Sequence, residues 1–308
     1  MNASKILRCL KRYLLDPSYR FGINTYLGIN RYLSDEEFSK REYYYVTQKQ
    51  LNLEHPTSFN EKLQWLKIYD HNPIYTQMVD KLAAKEYVRS IIGDEYIIPT
   101  LAIWDSIPDI DISQMPEQFV IKTTHDSGGL VICRNKELFD ETAALKKISK
   151  SLRRNYYMEH REWPYKNVPK RIFAERYLQD SSNGGLRDYK FYCFSGEPQF
   201  LYLSQGLENH ATANISFLTL DWKIADFGRS DFEPFEILPN KPDNFGEMID
   251  IARQLSQDMS FLRVDLYNVN GHIYFSELTF CPCAGMMVFV PDEADYQIGQ
   301  YLNLFKKE

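Results

Sequence analysis

The chain has 308 residues, 44% hydrophobic and 25% charged, the balance of a globular protein that buries a sizeable core and divides into two or three subdomains. A net charge of −6 excludes a general nucleic-acid binder, whose affinity needs a basic surface. Five cysteines (Cys9, Cys133, Cys193, Cys281, Cys283), an odd number without a CxxC pair, argue against a zinc site or disulfide framework and fit a reducing cytoplasm.

The first segment, "KILRCLKRYLL", is interrupted by charges every few residues, unlike a secretory signal, and no stretch has the length of a membrane span. It reads as a basic amphipathic helix, with Ile6, Leu7, Leu10 and Leu14 opposed to Lys5, Arg8, Lys11 and Arg12. The expectation is that it packs on its own domain; the alternative is peripheral association with an anionic membrane surface, the inner face for a cytoplasmic protein. Farther on, "TSFNEKLQWLKIY" opens with a cap, Thr57 or Ser58, followed by Glu61. "YTQMVDKLAAKEYVRSIIG" reads as one more helix, stopped by Gly93. "EYIIPTLAIW" is a short apolar strand segment, and the acidic "DSIPDIDISQMPEQ" reads as a linker.

Beyond the linker the texture changes to short strands divided by turns: "FVIKTT", "LVICRN", "RIFAERYL", "DYKFYCF", "QFLYLSQ", "NISFLTLDW", "LRVDLY" and "HIYFSELTF". Helical pattern returns at 141–157 and 245–260. The fold class is therefore α+β, a helical N-terminal part followed by antiparallel hairpins.

Three places along these strands carry polar residues suited to chemistry. In "FVIKTTHDSGGLVICRN", Lys122 ends a strand and Gly128 and Gly129 let backbone amides approach phosphate oxygens, although many such loops are plain hairpins. In "IFAERYLQD" and, after the turn "SSNGGL", "RDYKFYCFSGEP", Glu175, Asp188 and Lys190 stand on strands where a carboxylate can accept from a base amine or ribose hydroxyl. In "LRVDLYNVNGHIYFSELTFCP", a three-residue loop ending in Gly271 would pair Asn268 with His272, Asp265 with Phe275 and Arg263 with Glu277. Arg263, Asp265, Phe275, Glu277 and Thr279 would then share one face, with Leu262, Val264, Leu266 and Leu278 in the core. A two-residue loop at Asn270–Gly271 would instead separate Glu277 from Asp265. Two carboxylates this close call for a cation between them, and hard oxygens suit magnesium carrying a phosphate; the plainer reading is an Arg263–Glu277 ion pair on a solvated face.

The order of these features resembles the ATP-grasp superfamily, and over residues 57 to 304 the TupA-like ATP-grasp proteins, named for teichuronopeptide biosynthesis. The resemblance implies an ATP-grasp fold, two α+β subdomains whose antiparallel sheets clasp ATP. Boundaries on that basis are a helical arm over 1–50, a pre-grasp region over 51–115, and an ATP-grasp domain over 116–308, split at about 170 into lid and metal subdomains. It further implies an ATP- and magnesium-dependent ligase joining a carboxylate to an amine. Lys122 matches the phosphate lysine; His125, Ser127, Gly128 and Gly129 lie in the flexible phosphate lid. Glu175, Arg176, Tyr177 and Leu178 match the adenine-binding connector, Asp188 the ribose-contacting acid with Lys190 on the same strand face, Asp265 and Glu277 the magnesium ligands, and Arg263 the arginine that steadies an acyl phosphate. Thr279 stands where many of these ligases have asparagine. By resemblance the carboxylate is a uronic-acid sugar of a cell-surface polysaccharide. In "SLRRNYYMEHREWPYKNVPKR", Arg153, Arg154, Arg161, Lys166 and Lys170 interleave with Tyr156, Tyr157, Trp163 and Tyr165, a mix that would hold an anionic sugar or form a solvated connector. Two rival readings stay open: a nucleotide-sugar glycosyltransferase using "DID" at 109–111, and a non-catalytic nucleotide-binding protein.

Overall fold

A computed structural model describes residues 3–180, 185–207 and 213–304; most of the "SSNGGL" turn lies outside them. The N-terminal part is helical: α1 (Ala3–Leu15), α2 (Pro17–Tyr26), α3 (Asp35–Thr47), α4 (Phe59–Tyr69), α5 (Ile74–Val79) and α6 (Ala83–Ile92). Helix α4 starts with the expected capping box, Ser58 accepting from the Glu61 amide at 3.2 Å while Glu61 accepts from the Ser58 amide at 3.1 Å. The single helix expected over 75–93 is two. Asp80, almost fully buried, accepts from the amides of Leu82 and Ala83 at 2.9 and 3.1 Å, and that cap starts a new helix. Gly93 ends α6 with φ of 105°.

Strands β1 (Thr100–Trp104), β2 (Phe119–Thr123), β3 (Leu130–Cys133) and β4 (Ile172–Arg176) form an antiparallel sheet in the order β1-β4-β2-β3. Helix α7 (Glu141–Leu152) covers it, burying Ile148 against Phe119, Ile121, Ile172 and Ala174. This sheet begins at residue 100 and ends at 176, so the lid boundary expected at 116–170 is too narrow at both ends. The reason is pairing: β1 closes on β4, placing Ala102 opposite Ala174. The "DID" motif lies between β1 and β2 in two short 3₁₀ turns, where Asp109 accepts from Ser106 and Asp111 from Ser113.

The second sheet holds β5 (Arg187–Phe194), β6 (Glu197–Gln205), β7 (Asn214–Thr219), β9 (Phe261–Val269) and β10 (His272–Thr279) in the order β10-β9-β5-β6-β7. Two-residue strands β8 (Gly228–Arg229) and β11 (Phe289–Val290) pair beside it. One sheet face packs on α9 (Phe245–Ser256), whose Phe245, Met248, Ile251, Ala252 and Leu255 recur at helical spacing and meet Phe191, Leu262, Val264, Leu266 and Leu278. Each such buried Leu or Phe stabilises by roughly 1.5–3 kcal/mol. The opposite face is divided along its length. At one end Tyr192, Phe194, Phe200, Phe217 and Phe261 pack on Phe59 of α4. At the other end the same alternation brings up Arg263, Lys190, Asp265 and Asp188.

Candidate functional site

A cavity of about 2300 Å³ runs between the two sheets, lined by Lys122 and Glu175 of the first and by Asp188, Lys190, Tyr267 and Glu277 of the second. Its two walls are charged in different ways.

On the first wall, Lys122 lies opposite Phe173 and Glu175 opposite Val120, so the two side chains are diagonal neighbours on one face. Lys122 forms an ion pair with Glu175 Oε1. Lys85 of α6 reaches Glu175 Oε2 at 2.7 Å and also donates to the Ile98 carbonyl and Thr100 hydroxyl at 2.9 and 3.2 Å. Burial pushes the Glu175 carboxyl up, but Lys122 and Lys85 outweigh it and hold it below its ordinary range. Burial likewise works against Lys122, and Glu175 more than compensates, keeping it charged. Glu175, which the resemblance places in the adenine-binding connector, has its side chain engaged as the counter-ion of two lysines. Arg176, Tyr177 and Leu178 do line the cavity beyond it. Lys85, and Lys81 just before α6, were missed, because each looks like an ordinary solvated helix lysine. The one available signal was their i, i+4 spacing, which puts both on one side of the chain.

The glycine loop is anchored. Buried Asp126 accepts from Thr123 Oγ1 and Ser151 Oγ at 2.5 Å each and pairs with Arg154 at 3.2 Å. Lys81 donates to the Asp126 carbonyl. Gly129 sits in this knot, where a Cβ would come within 2.1–2.4 Å of Thr123, Ser151 and Asp126; Gly128 has φ of 85° and open space around it. Ser127, Gly128 and Gly129 line the cavity, whereas the His125 ring is buried with neither nitrogen hydrogen-bonded and does not reach the cavity wall. His125, which the resemblance places in the phosphate lid, thus lies behind the wall, next to Thr124, whose hydroxyl donates to the Pro169 and Arg171 carbonyls.

On the second wall the hairpin register differs from expectation. Val269 pairs with His272 around a two-residue turn, Asn270 and Gly271, with φ of 53° and 80°. That turn alone would send Glu277 to the core. A bulge at Ser276 shifts the register once more, so Phe275 pairs with Leu266 while Glu277 lies directly opposite Asp265. Turn and bulge each displace the pattern by one residue and cancel. Phe275, expected on the charged face, is buried in the core with Leu266.

The resulting row, Lys190–Asp265–Glu277, crosses three adjacent strands. Lys190 bridges Asp188 and Asp265 at 2.5 Å each. Arg263 donates to both Asp265 oxygens at 2.7 Å and to Glu277 Oε1 and Thr279 Oγ1 at 3.0 Å; Thr279 donates to Glu277 at 3.2 Å. Burial, helped by Asp188 and Glu277, pushes Asp265 up to about 6 against the pull of Arg263 and Lys190. Glu277 behaves oppositely: burial is outweighed by Lys190, Arg263 and Lys81, which bring it down to about 2. Its side chain keeps 42% exposure, whereas Asp265 keeps none. So one carboxylate is buried and reluctant to ionise, and its partner stands ionised at the cavity wall. Asp188 has one further feature, a buried Oδ1 with no hydrogen-bond partner.

The basic and aromatic segment at 151–171 is largely spent internally. Arg154 pairs with Glu159, Arg161 donates to the Asn30 carbonyl and lies over the Phe38 ring, Tyr157 donates to Asp35, and Lys170 caps the carbonyls of Leu152 and Arg154. It ties the N-terminal helices to the lid, through α8 (Tyr156–His160), rather than presenting a row of free cations.

A family model described as TupA-like ATPgrasp matches residues 61–303. No curated protein matches. Among solved structures, the chain is similar to a D-alanine–D-alanine ligase from Bacillus anthracis complexed with ATP, at 13% identity and a TM-score of 0.39, covering 66% of this chain and 55% of that one. It is similar to the D-alanine–D-alanine ligase of Helicobacter pylori at 12% identity and 0.42, covering 80% and 70%, and to D-cycloserine synthetase DcsG at 16% and 0.41, covering 75% and 71%. The chain thus spans just over half the length of the first of these. Likenesses this distant add nothing to an assignment carried by the family model and the two sheets.

Proposed function

From the premise that this chain belongs to the TupA-like ATP-grasp family, we propose that it is an ATP- and magnesium-dependent ligase joining a carboxylate to an amine. The observation that carries the reading is the cavity between the sheets, with lysines on both walls and an ionised Glu277 facing it.

Lys122 and Lys81 would hold the nucleotide phosphates, assisted by the amides of Gly128 and Gly129. Glu175 keeps Lys122 charged and fixes its direction. Asp188 Oδ1, buried and unpartnered, suits a ribose hydroxyl, and the chain at 176–178 would meet the base. Among the described residues no three of His, Cys, Asp and Glu converge on a metal position. The donor set nevertheless fits magnesium, which commonly takes one or two protein carboxylates and completes its shell with phosphate oxygens and water. Glu277 would be the first ligand and Asp265 the second, with Thr279 beside them. When bound, the ion supplies charge neutralisation at the transferred phosphoryl group. Arg263, buried against both carboxylates, positions them, with its Nη2 3.0 Å from Glu277, and by family resemblance would steady an acyl phosphate. No side-chain nucleophile is required: the substrate carboxylate would attack the γ-phosphorus and displace ADP, and the amine would then attack the acyl carbon, losing a proton to water and displacing phosphate to leave the amide.

For the substrates, family resemblance supports a uronic-acid sugar and an amino acid or amine in cell-surface polysaccharide synthesis. A coupled ADP-release screen of uronic acids against amino acids tests this, with thermal shifts by ATP–magnesium as the independent binding arm. The glycosyltransferase reading loses its motif, since Asp109 and Asp111 are both engaged in local turns; stabilisation by a UDP-sugar but not by ATP would restore it. A non-catalytic nucleotide-binding protein would show the ATP shift and no ADP release with any pair.

A further inference from the structure

Helix α1 packs on α2 through Tyr13, Arg12 and the carbonyls of its last turn. Tyr13 donates to Asn24 at 2.8 Å, Arg20 donates to the carbonyls of Tyr13 and Leu14 at 3.3 and 3.1 Å, and Arg12 pairs with Asp16 while lying over the Tyr19 ring. The apolar side expected to pack inward is left open. Leu7, Leu10, Leu14 and Leu15 keep 56–71% of their surface exposed. Tyr26 at the end of α2, and Leu27, Ile29 and Tyr32 just after it, are likewise exposed by 52–80%. An aliphatic row of this size on a helix with a polar opposite face is an unfilled docking surface.

Charge identifies the occupant. Residues 3–32 contain Lys5, Arg8, Lys11, Arg12, Arg20 and Arg31 against Asp16 alone, in a chain whose net charge is −6. No charged partner holds Lys5, Arg8 or Lys11 among the described residues, and the helix has no acidic residue. A second copy of the same basic helix would meet it with like charge. We propose that α1 docks in the plane of an anionic lipid surface, its leucines entering the interface and its free cations meeting lipid phosphates. Among the described residues no helix is long and apolar enough to cross a membrane, and the proposed contact lies in the plane of the surface. Because α2 and the turn after it are bound to the 156–161 segment through Arg161 and Asn30, docking would orient the whole body.

The test uses the full chain with phosphatidylcholine vesicles, with and without phosphatidylglycerol, in co-sedimentation. Binding is expected only to the phosphatidylglycerol vesicles and should weaken as salt rises. The variant Leu7→Gln/Leu10→Gln/Leu14→Gln should abolish it. Lys5→Gln/Arg8→Gln/Lys11→Gln should weaken it by about five-fold per charge, about a hundred-fold in all. Melting temperature should be unchanged in both, since the altered side chains are not in the core. The proposal is overturned by absence of binding to anionic vesicles, or by undiminished binding in the leucine variant. It is also overturned if the leucine substitutions instead dissociate a dimer that ignores lipid.

Discussion

Replacing Asp265 by Asn separates the electrostatic from the structural role of the carboxylate row. Asp265 has no exposure and is pushed up to about 6 from an ordinary 3.8. A carboxyl whose value is higher folded than unfolded binds more protons in the folded state, so stability falls as pH rises from about 4 to about 6 and is flat above. At about 1.4 kcal/mol per pH unit, that rise costs the fold about 3 kcal/mol at neutral pH. Asn has the shape of the protonated acid and does not titrate. The difference in stability, variant minus wild type, should therefore climb by about 3 kcal/mol between pH 4 and pH 6.5 and then level off. At roughly 2–4 °C per kcal/mol this is a relative gain of roughly 6–12 °C. The measurement is melting temperature across pH without metal, with ADP release at pH 8 alongside. Turnover should collapse in the variant if Asp265 holds magnesium as proposed, because that ligand would have lost its charge. A flat difference across pH refutes the raised value. A difference of opposite sign means that Arg263 and Lys190, at 2.5–2.7 Å, dominate burial, and the account of the row is wrong.

Glu175→Gln should destabilise by about 3–5 kcal/mol at pH 7, because Lys85 and Lys122 are left buried without their counter-ion; since Glu175 is held low in the fold, the loss should shrink below about pH 4, as thermal melts will show. Lys81→Ala should weaken binding of a fluorescent ATP analogue by roughly ten-fold or more, the value of one charge-assisted phosphate contact, and should also lower the melting temperature of the free protein by a few degrees through loss of its bond to the Asp126 carbonyl. Gly129→Ala should cost about 1–3 kcal/mol in urea unfolding, since the added methyl meets three oxygens at 2.1–2.4 Å, whereas Gly128→Ala meets only its φ of 85°. Deleting Ser276 should leave ADP release largely intact, because without the bulge residue the ladder still sets Phe275 opposite Leu266 and Glu277 opposite Asp265; loss of turnover would show that the bulge does more than restore the face of Glu277.

Much of the architecture was legible because it rests on local signals. Strands with alternating patterns, the Ser58–Glu61 box and the Gly93 stop all fell where chain-local chemistry put them. What failed depended on distant partners. The break at Asp80 comes from a cap that also holds Arg171, and the extent of the first sheet from pairing across some seventy residues. At the site, the residues on strands came together as a group, but their individual partners did not follow from sequence. Glu175 gained two lysines, one of them from a helix ninety residues earlier, and His125 turned away from the cavity. The apolar side of α1 was expected inside and lies outside, since amphipathicity fixes a side without saying what covers it.

The Ser276 bulge bears on how such sequences should be compared. Anchored at the Asn270–Gly271 turn, an alignment of this hairpin is one step out of phase at Glu277; anchored at the two carboxylates, it is out of phase at the turn. A relative with a three-residue turn and a regular strand would keep the same two carboxylates on one face, as diagonal neighbours, with an identical residue count between them. Gaps scored independently would treat these as unrelated changes, although only their combined parity reaches the cavity. For engineering, the two positions form a lock with a pair of tumblers: at a fixed residue count between the carboxylates, re-registering either one alone jams it, and re-registering both together leaves it open.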